Sequence, residues 1–365
     1  MTEMAHGLVD DVAELVSCES PSEDLEAVAR CADVLADVAQ RRIGLKPERI
    51  EVEGRVHLRW QTRGARVVLL GHLDTVWPMG TLARWPFTID GDRMTGPGVF
   101  DMKFGLVQMV AAVQSLDGVE GLTMLVTSDE EIGSSTSQAL IEDTCRDAQA
   151  VLVLEPSADG ALKVARKGVG MFRLDIAGKA AHAGLEPHNG INASVEAAHA
   201  ILAAAGLARP DVGTTVTPTV VSSGTTVNTV PAVASVAVDV RAETVAEMQR
   251  VEQALSSLSP QLPGASLKLV TRSLRQPLER AMSADLFARA QQLAATLGLD
   301  PLEGVAVGGG SDGNITAGLG VATLDGLGAV GGNAHAEGEW ASMAALPDRV
   351  SLVAALVRDL LEDAR

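Results

Sequence analysis

The sequence contains no tyrosine, only five phenylalanines and four tryptophans. An aromatic-rich interior is therefore excluded, and the core has to be built from alanine, valine and leucine. Cysteine is nearly as scarce. Cys18, Cys31 and Cys145 are odd in number and lack CxxC spacing, which excludes a disulfide framework and a thiolate metal site. Reduced, buried thiols in a cytosolic protein are the expectation. Positive charge is in deficit, with 29 Lys and Arg against 47 Asp and Glu, a formal charge of −18. Nucleic acid is a poor partner for such a chain, because phosphate binding needs clustered Lys and Arg. A small anionic substrate remains compatible, since a few local cations suffice. No apolar run approaches the roughly 18 residues that a membrane span needs. The acidic, amphipathic start "MTEMAHGLVDDVAELV" is no basic region ahead of an apolar stretch, so no signal peptide and a cytoplasmic location are expected.

What remains is ordinary globular material. Hydrophobic residues make up 47% and charged residues 21% of 365 positions, enough for two domains or one large one. Residues 7–41 carry apolar positions at helical spacing, with turn chemistry in "SPSED". "RVVLL" (66–70), "LTMLVTS" (122–128) and "AVLVLEP" (150–156) suit strands buried on both faces. "GLVQMVAAVQSL" (105–116) and "SQALIEDTC" (137–145) are helical. Alternating strands and helices imply an α/β layered sheet. The texture then changes. "GMFRLDIAGKAA" and "ASVAVDVRA" alternate apolar and polar residues around an Ala-rich helix, an antiparallel α+β pattern. The expected division is a catalytic domain of residues 1–167 and 281–365 and an inserted domain of residues 168–280.

The chemistry gathers where strands of the α/β part end. "GHLDTVWPMG" (71–80) follows an apolar strand, and His72 and Asp74, two apart, share a face. Asp101 lies in "GPGVFDMKFG", Glu130 and Glu131 in "TSDEEIG", Glu155 in "VLVLEP" and His335 in "GGNAHAEGEW". In an open α/β sheet the crevice beyond the strands' carboxyl ends is the usual site. Two imidazoles and three carboxylates (His72, His335, Asp101, Glu131, Glu155) suit zinc or a similar divalent ion better than calcium. Five ligands exceed one open tetrahedral site and fit two metals if one carboxylate bridges. Asp74 then orients His72, and Glu130 is placed as general base. Any one of these residues alone is more often a solvated surface group or a structural histidine. Their joint recurrence at strand ends makes that reading the minority one.

"GHLDTV", "GPGVFDMKFG", "TSDEEIGS", "LEPS", "GKAAHAG", "GINA" and "GGGSDGN", in this order, resemble the M20 metallopeptidases, nearest to the glutamate-carboxypeptidase (carboxypeptidase G2-like) branch. The resemblance covers nearly the whole chain. It implies a mixed-sheet zinc-peptidase domain carrying an inserted, ferredoxin-like α+β lid and dimerisation domain, with two zinc or other divalent ions per chain. Asp101 would bridge the ions, His72 and Glu155 completing one site and Glu131 and His335 the other. Glu130 would activate water and then protonate the leaving amine. The bond Asp101–Met102 would be cis. His182 would donate to the tetrahedral oxyanion, from the neighbouring subunit in several relatives. Asn228 and Arg241 align with substrate-side positions, Arg241 being equally a structural partner of Asp239 or Glu243. Lys163 and Arg275 are weaker candidates for gripping a substrate carboxylate. Gly309, Gly310 and Ser311 belong to a substrate-contacting turn.

Gly308, Gly310 and Gly313 also spell GxGxxG, a weak dinucleotide signal when it stands alone. Two departures stand out. Phe104 replaces one of two glycines found after the equivalent of Lys103, putting a bulky side chain near the metal cleft with access or specificity expected to change, and "HAEGE" leaves Glu337 or Glu339 as the supporting carboxylate. The expected activity is hydrolysis of an amide or peptide bond beside a free carboxylate, on a small peptide or N-acyl amino acid. An N-acyl-amino-acid deacylase of the aminoacylase or desuccinylase kind is the alternative. A non-catalytic binding protein on the same fold would lack ligands or base, and none is missing.

Overall fold

The computed structural model describes residues 3–62 and 64–362. It contains two compact units. Of the described residues, the first comprises those up to 165, 280–307 and those from 311 onward, and the second residues 166–279 with 308–310.

The first unit is built on a six-stranded mixed sheet. Its order is Glu48–Val52, Arg55–Gln61, Leu122–Thr127, Val67–His72, Ala150–Val153 and Ala322–Leu324. The first three strands pair antiparallel and the rest parallel. Val67, Leu69 and Met124 bury into one helical layer, with residues of Leu25–Ile43, Phe104–Gln114, Arg280–Leu297 and Leu346–Glu362. Val68, Leu70, Leu125 and Val151 bury into the other, with Ile141, Cys145 and Ile315. Successive side chains on a strand point to opposite faces, so a continuous apolar run feeds both layers. Each fully buried Val or Leu contributes roughly 1.5–3 kcal/mol. Because His72 is paired with Thr127 in parallel register, the carboxyl ends of these strands lie at one edge of the sheet. Among the described residues no helix is long and apolar enough to cross a membrane.

The second unit holds a four-stranded antiparallel sheet in the order Thr215–Ser223, Val233–Ala242, Gly168–Ala177, Ser266–Arg275. Phe172, Leu174, Ile176, Val236, Val238 and Val240 face the helices Ala193–Ala205 and Val245–Ser256. The Ala-rich helix packs through Ala193, Ala197, Ala200 and Ala204. Asn192 caps it, accepting from Ser194 N and Val195 N. The opposite sheet face is polar and carries the ion pairs Arg173–Asp175 and Arg241–Asp239.

Candidate active site

Five chain segments carry the acidic and imidazole cluster of the first unit. His72 is the last residue of the strand Val67–His72. Asp101 lies in the tight turn Val99–Lys103. Gly98 starts that turn at φ 73°, where a Cβ would stand 2.5 Å from the Thr75 methyl, so only glycine serves. Gly105 lets the next helix sit against the strand end before Glu155, since a Cβ there would stand 2.3 Å from the Leu154 carbonyl oxygen. Glu130 and Glu131 open a one-turn 3-10 helix beyond Leu122–Thr127. His335 has φ 61°, a left-handed backbone uncommon outside glycine. The peptide bond Asp101–Met102 is cis, as the resemblance implies.

The structure brings these side chains together around Asp101. Asp101 Oδ1 lies 3.2 Å from His72 Nε2, and Oδ2 lies 3.4 Å from His335 Nε2. His72 Nε2 is 3.4 Å from Glu155 Oε1, and His335 Nε2 is 3.1 Å from Glu131 Oε2. Ligand atoms of His72, Asp101 and Glu131 lie within 4.8 Å of one another, as do those of His72, Glu130 and Glu155. Glu131 Oε1 is buried with no hydrogen-bond partner. A buried carboxylate oxygen left so is costly, and a cation would satisfy it. The mixed nitrogen and oxygen donor set suits zinc or a similar divalent ion.

Electrostatics point the same way. Hydrogen bonds to Asp101 and Glu131 raise His335 to about 10. Burial disfavours a charged His72, yet bonds to Asp101, Asp74 and Glu155 outweigh it and hold its pKa well above the ordinary imidazole value. Burial pushes Glu131 upward. Protons on the imidazoles thus balance the carboxylates where a cation would otherwise do so.

Supporting carboxylates fix the ligand segments. Fully buried Asp74 accepts from Ser22 Oγ at 2.7 Å and from the backbone N–H of Glu130 and Glu131 at 3.2 Å each. His72 Nδ1 lies 3.0 Å from the Asp74 carbonyl oxygen and 3.4 Å from its Oδ1. Donation from Nδ1 leaves Nε2, which faces Asp101 and Glu155, as the nitrogen that would ligate a metal in place of its proton. Fully buried Glu339 accepts from the N–H of Gly98, Phe100 and Asp101 at 2.8–3.2 Å and from Trp77 Nε1 at 2.8 Å. Of the two glutamates left open by the sequence, Glu339 is therefore the one that holds the Asp101 turn. Glu337 is exposed and pairs loosely with Arg84 at 3.8 Å. Phe104 is fully buried in the main core, so its ring fills the interior and is not presented to the cleft. Sequence reading also missed Asp129 and Asp312. Asp129 accepts from the N–H and hydroxyl of both Thr136 and Ser137. Asp312 accepts from Thr127 Oγ1 at 2.9 Å and from Ser134 Oγ. The Ser/Thr/Asp density of "TSDEEIGSSTS" was the available signal.

The other candidates separate by unit. Lys163 Nζ lies 3.8 Å from Glu155 Oε2 within the first unit. Ser311 is fully buried and its hydroxyl donates to Asp325 at 2.7 Å, which makes it a loop anchor. In the second unit His182 pairs with Thr229 in a two-stranded ladder, and the Asn228 carbonyl accepts from Ala183 N. The structure thus brings His182 and Asn228 together. His182 Nδ1 accepts from Gly184 N and Leu185 N at 3.1 Å, so its proton sits on exposed Nε2. Arg241 donates twice to Asp239 at 3.0 Å. Arg275 ends the strand Ser266–Arg275. Gly309 and Gly310 are gripped through their carbonyls by buried Arg166 at 3.1 and 3.4 Å, a residue that no sequence signal marked.

Residues 68–359 match the family model of peptidase family M20/M25/M40. The chain belongs to that family. Over 98% of its length this M20 chain is 28% identical to carboxypeptidase G2 of Pseudomonas sp. (strain RS-16), 90% of which is covered. Over 36% of its length it is 37% identical to succinyl-diaminopimelate desuccinylase 2 of Shewanella loihica, 39% of which is covered. Its fold matches the aminopeptidase PepT of Bacillus cereus with a TM-score of 0.76 at 23% identity, covering 98% and 99% of the two chains. An M20 family metallo-carboxypeptidase of Sulfolobus solfataricus matches with a TM-score of 0.69 at 15% identity over 98% and 99%. The M20 chain is accordingly a hydrolase of a metal-dependent family, and its sheet is the mixed α/β kind found in these structures.

Proposed function

We propose that this chain is a di-metal hydrolase cleaving an amide or peptide bond next to a free carboxylate, in the manner of a glutamate carboxypeptidase. One observation carries the reading: a single carboxylate, Asp101, faces His72 with one oxygen and His335 with the other. Glu155 and Glu131 stand beyond the two imidazoles. That is the donor pattern of two adjacent cations sharing a bridge. His72, Asp101 and Glu155 would hold one, and His335, Asp101 and Glu131 the other. When bound, zinc or a similar ion supplies Lewis-acid polarisation of the scissile carbonyl and acidifies water.

The chain's own residues do the rest. Glu130 takes the proton of the attacking water and returns it to the leaving amine. Asp74 holds the His72 tautomer and steadies the backbone of Glu130 and Glu131. His182 donates from Nε2 to the tetrahedral oxyanion, a role supported by the two amides that reserve its Nδ1 as acceptor. Lys163, Asn228, Arg241, Arg275 and the Gly309–Gly310 turn are the proposed contacts to the substrate. The second unit is proposed as the ferredoxin-like lid and dimerisation domain. Its strand–helix–strand–strand–helix–strand order supports this, as does the edge strand Thr215–Ser223 with Val220 and Val221 exposed.

Similarity to a desuccinylase favours one second reading, an N-acyl-amino-acid deacylase with the same proton chemistry. Hydrolysis of folate-type glutamates, dipeptides and N-acyl amino acids, with zinc and with chelator, tests both. Chelator-sensitive cleavage of glutamyl amides supports the first reading, and cleavage of acyl amino acids alone supports the second. Cleavage of none contradicts both.

A further inference from the structure

Four large apolar side chains of the first unit, Leu25, Val76, Met79 and Ile132, are between 38% and 48% exposed. They are not scattered. With Pro21 and Pro78 they line one cavity of about 700 Å3, within the range of small-molecule sites. Three loops deliver them. Leu25 opens the helix Leu25–Ile43, Val76 and Met79 follow the strand that ends in His72, and Ile132 follows Glu131 directly. Glu131 itself lines the cavity, so one wall of the cavity is a residue of the candidate metal cluster. Its remaining polar lining is Ser22 and Thr75 together with three carboxylates, Glu23, Asp24 and Glu26.

The cluster therefore has two unlike ends. Asp101 stands between Glu131 and Glu155, through His335 and His72. At the Glu155 end stands a cation, Lys163, 3.8 Å away. At the Glu131 end lies an apolar cavity with acidic walls. A substrate carboxylate is drawn to the first end and repelled from the second. An uncharged apolar group gains by leaving water in the second.

Resting on the proposed hydrolase function, we propose that this cavity is the acyl-side specificity pocket and takes a bulky, uncharged apolar group. The substrates are N-alkanoyl or N-arylacyl amino acids, or peptides with a large apolar residue before the cleaved bond. Anionic acyl groups such as succinyl are disfavoured by Glu23, Asp24 and Glu26.

The test is kcat/KM for one leaving amino acid carrying acetyl, hexanoyl, phenylacetyl or succinyl, with zinc supplied. Hexanoyl and phenylacetyl should exceed acetyl by about 10–100-fold, the worth of a few methylenes in an apolar pocket. Succinyl should fall below acetyl. Met79→Asp and Ile132→Asp, both at exposed positions, should each cut the phenylacetyl-to-acetyl ratio by about tenfold or more. Equal rates for all four acyl groups, a preference for succinyl, or an unchanged ratio in both variants would overturn the pocket while leaving the hydrolase reading intact. An unchanged ratio with loss of a dimer in Met79→Asp would make this surface a contact between copies. Absence of any hydrolysis would overturn both proposals together.

Discussion

The Asp74 carboxylate accepts the backbone N–H of Glu131 at 3.2 Å. A buried anion at one strand end thus holds the loop that grows from the neighbouring strand, and the same residue faces the His72 ring. Asp74→Asn keeps the shape but removes the charge and one acceptor. Bonds to charged groups are worth about 1.5–3 kcal/mol, and partners of metal ligands typically carry 10–100-fold in affinity or activity. We expect kcat/KM to fall by about that factor, with zinc lost at lower chelator concentration than from the wild type. Steady-state kinetics beside a chelator titration check this.

Glu339 gives a stability prediction. Its two oxygens take three backbone donors and one indole donor. In Glu339→Gln an amide NH2 replaces one acceptor and meets donors. Buried, unsatisfied donors cost about 1–3 kcal/mol each, so we expect a loss of roughly 2–4 kcal/mol in urea unfolding. Exposed Glu337→Gln should change stability by less than about 0.5 kcal/mol. Equal effects would show that the Asp101 turn is held by something else.

Glu130 gives the prediction about chemistry. It stands with His72 and Glu155 in one group of possible ligand atoms, so ligand and base are separable only by variant. As base, Glu130→Gln keeps its metal and loses about 10²–10⁴ in kcat. As ligand, it would lose metal in step with activity. Metal content and kcat measured on the same preparation decide.

The cluster was legible in the sequence because its residues follow recognisable punctuation. Apolar strands end at His72, before Glu130 and before Glu155, and glycines surround Asp101 and His335. The supporting carboxylates were less legible. Nothing in "HAEGE" tells exposed Glu337 from buried Glu339, because that depends on which one meets the Asp101 turn from a segment more than 230 residues distant. The strand pairs Glu48–Val52 with Arg55–Gln61, and Thr88–Asp90 with Arg93–Thr95, went unread. Thr88, Ile89 and Asp90 are all exposed, so no period-two burial pattern marks them. Arg166 was invisible for a related reason: its partners are backbone carbonyls of Gly309 and Gly310, which leave no trace in residue type.

Glu247 provides a pH test away from the cluster. Arg250 donates to it twice, and Thr214 and Arg209 add further bonds. Together these lower its pKa from 4.5 to about 2. A depressed carboxylate stabilises the fold above its unfolded pKa and loses that contribution as pH falls through the folded value. Wild type should therefore be more stable than Glu247→Gln at neutral pH. The gap should shrink as pH drops from 4.5 towards 2. Chemical denaturation of both proteins at stepped pH reads it out, and a gap that stays constant would contradict the ion-pair origin.

The central claim is that Asp101 joins two cation sites. Elemental analysis of divalent ions per chain, for the wild type beside Asp101→Asn, tests it most directly. The account predicts two ions in the wild type and near-complete loss in the variant. Fewer than one ion in the wild type, or equal content in both proteins, would contradict it.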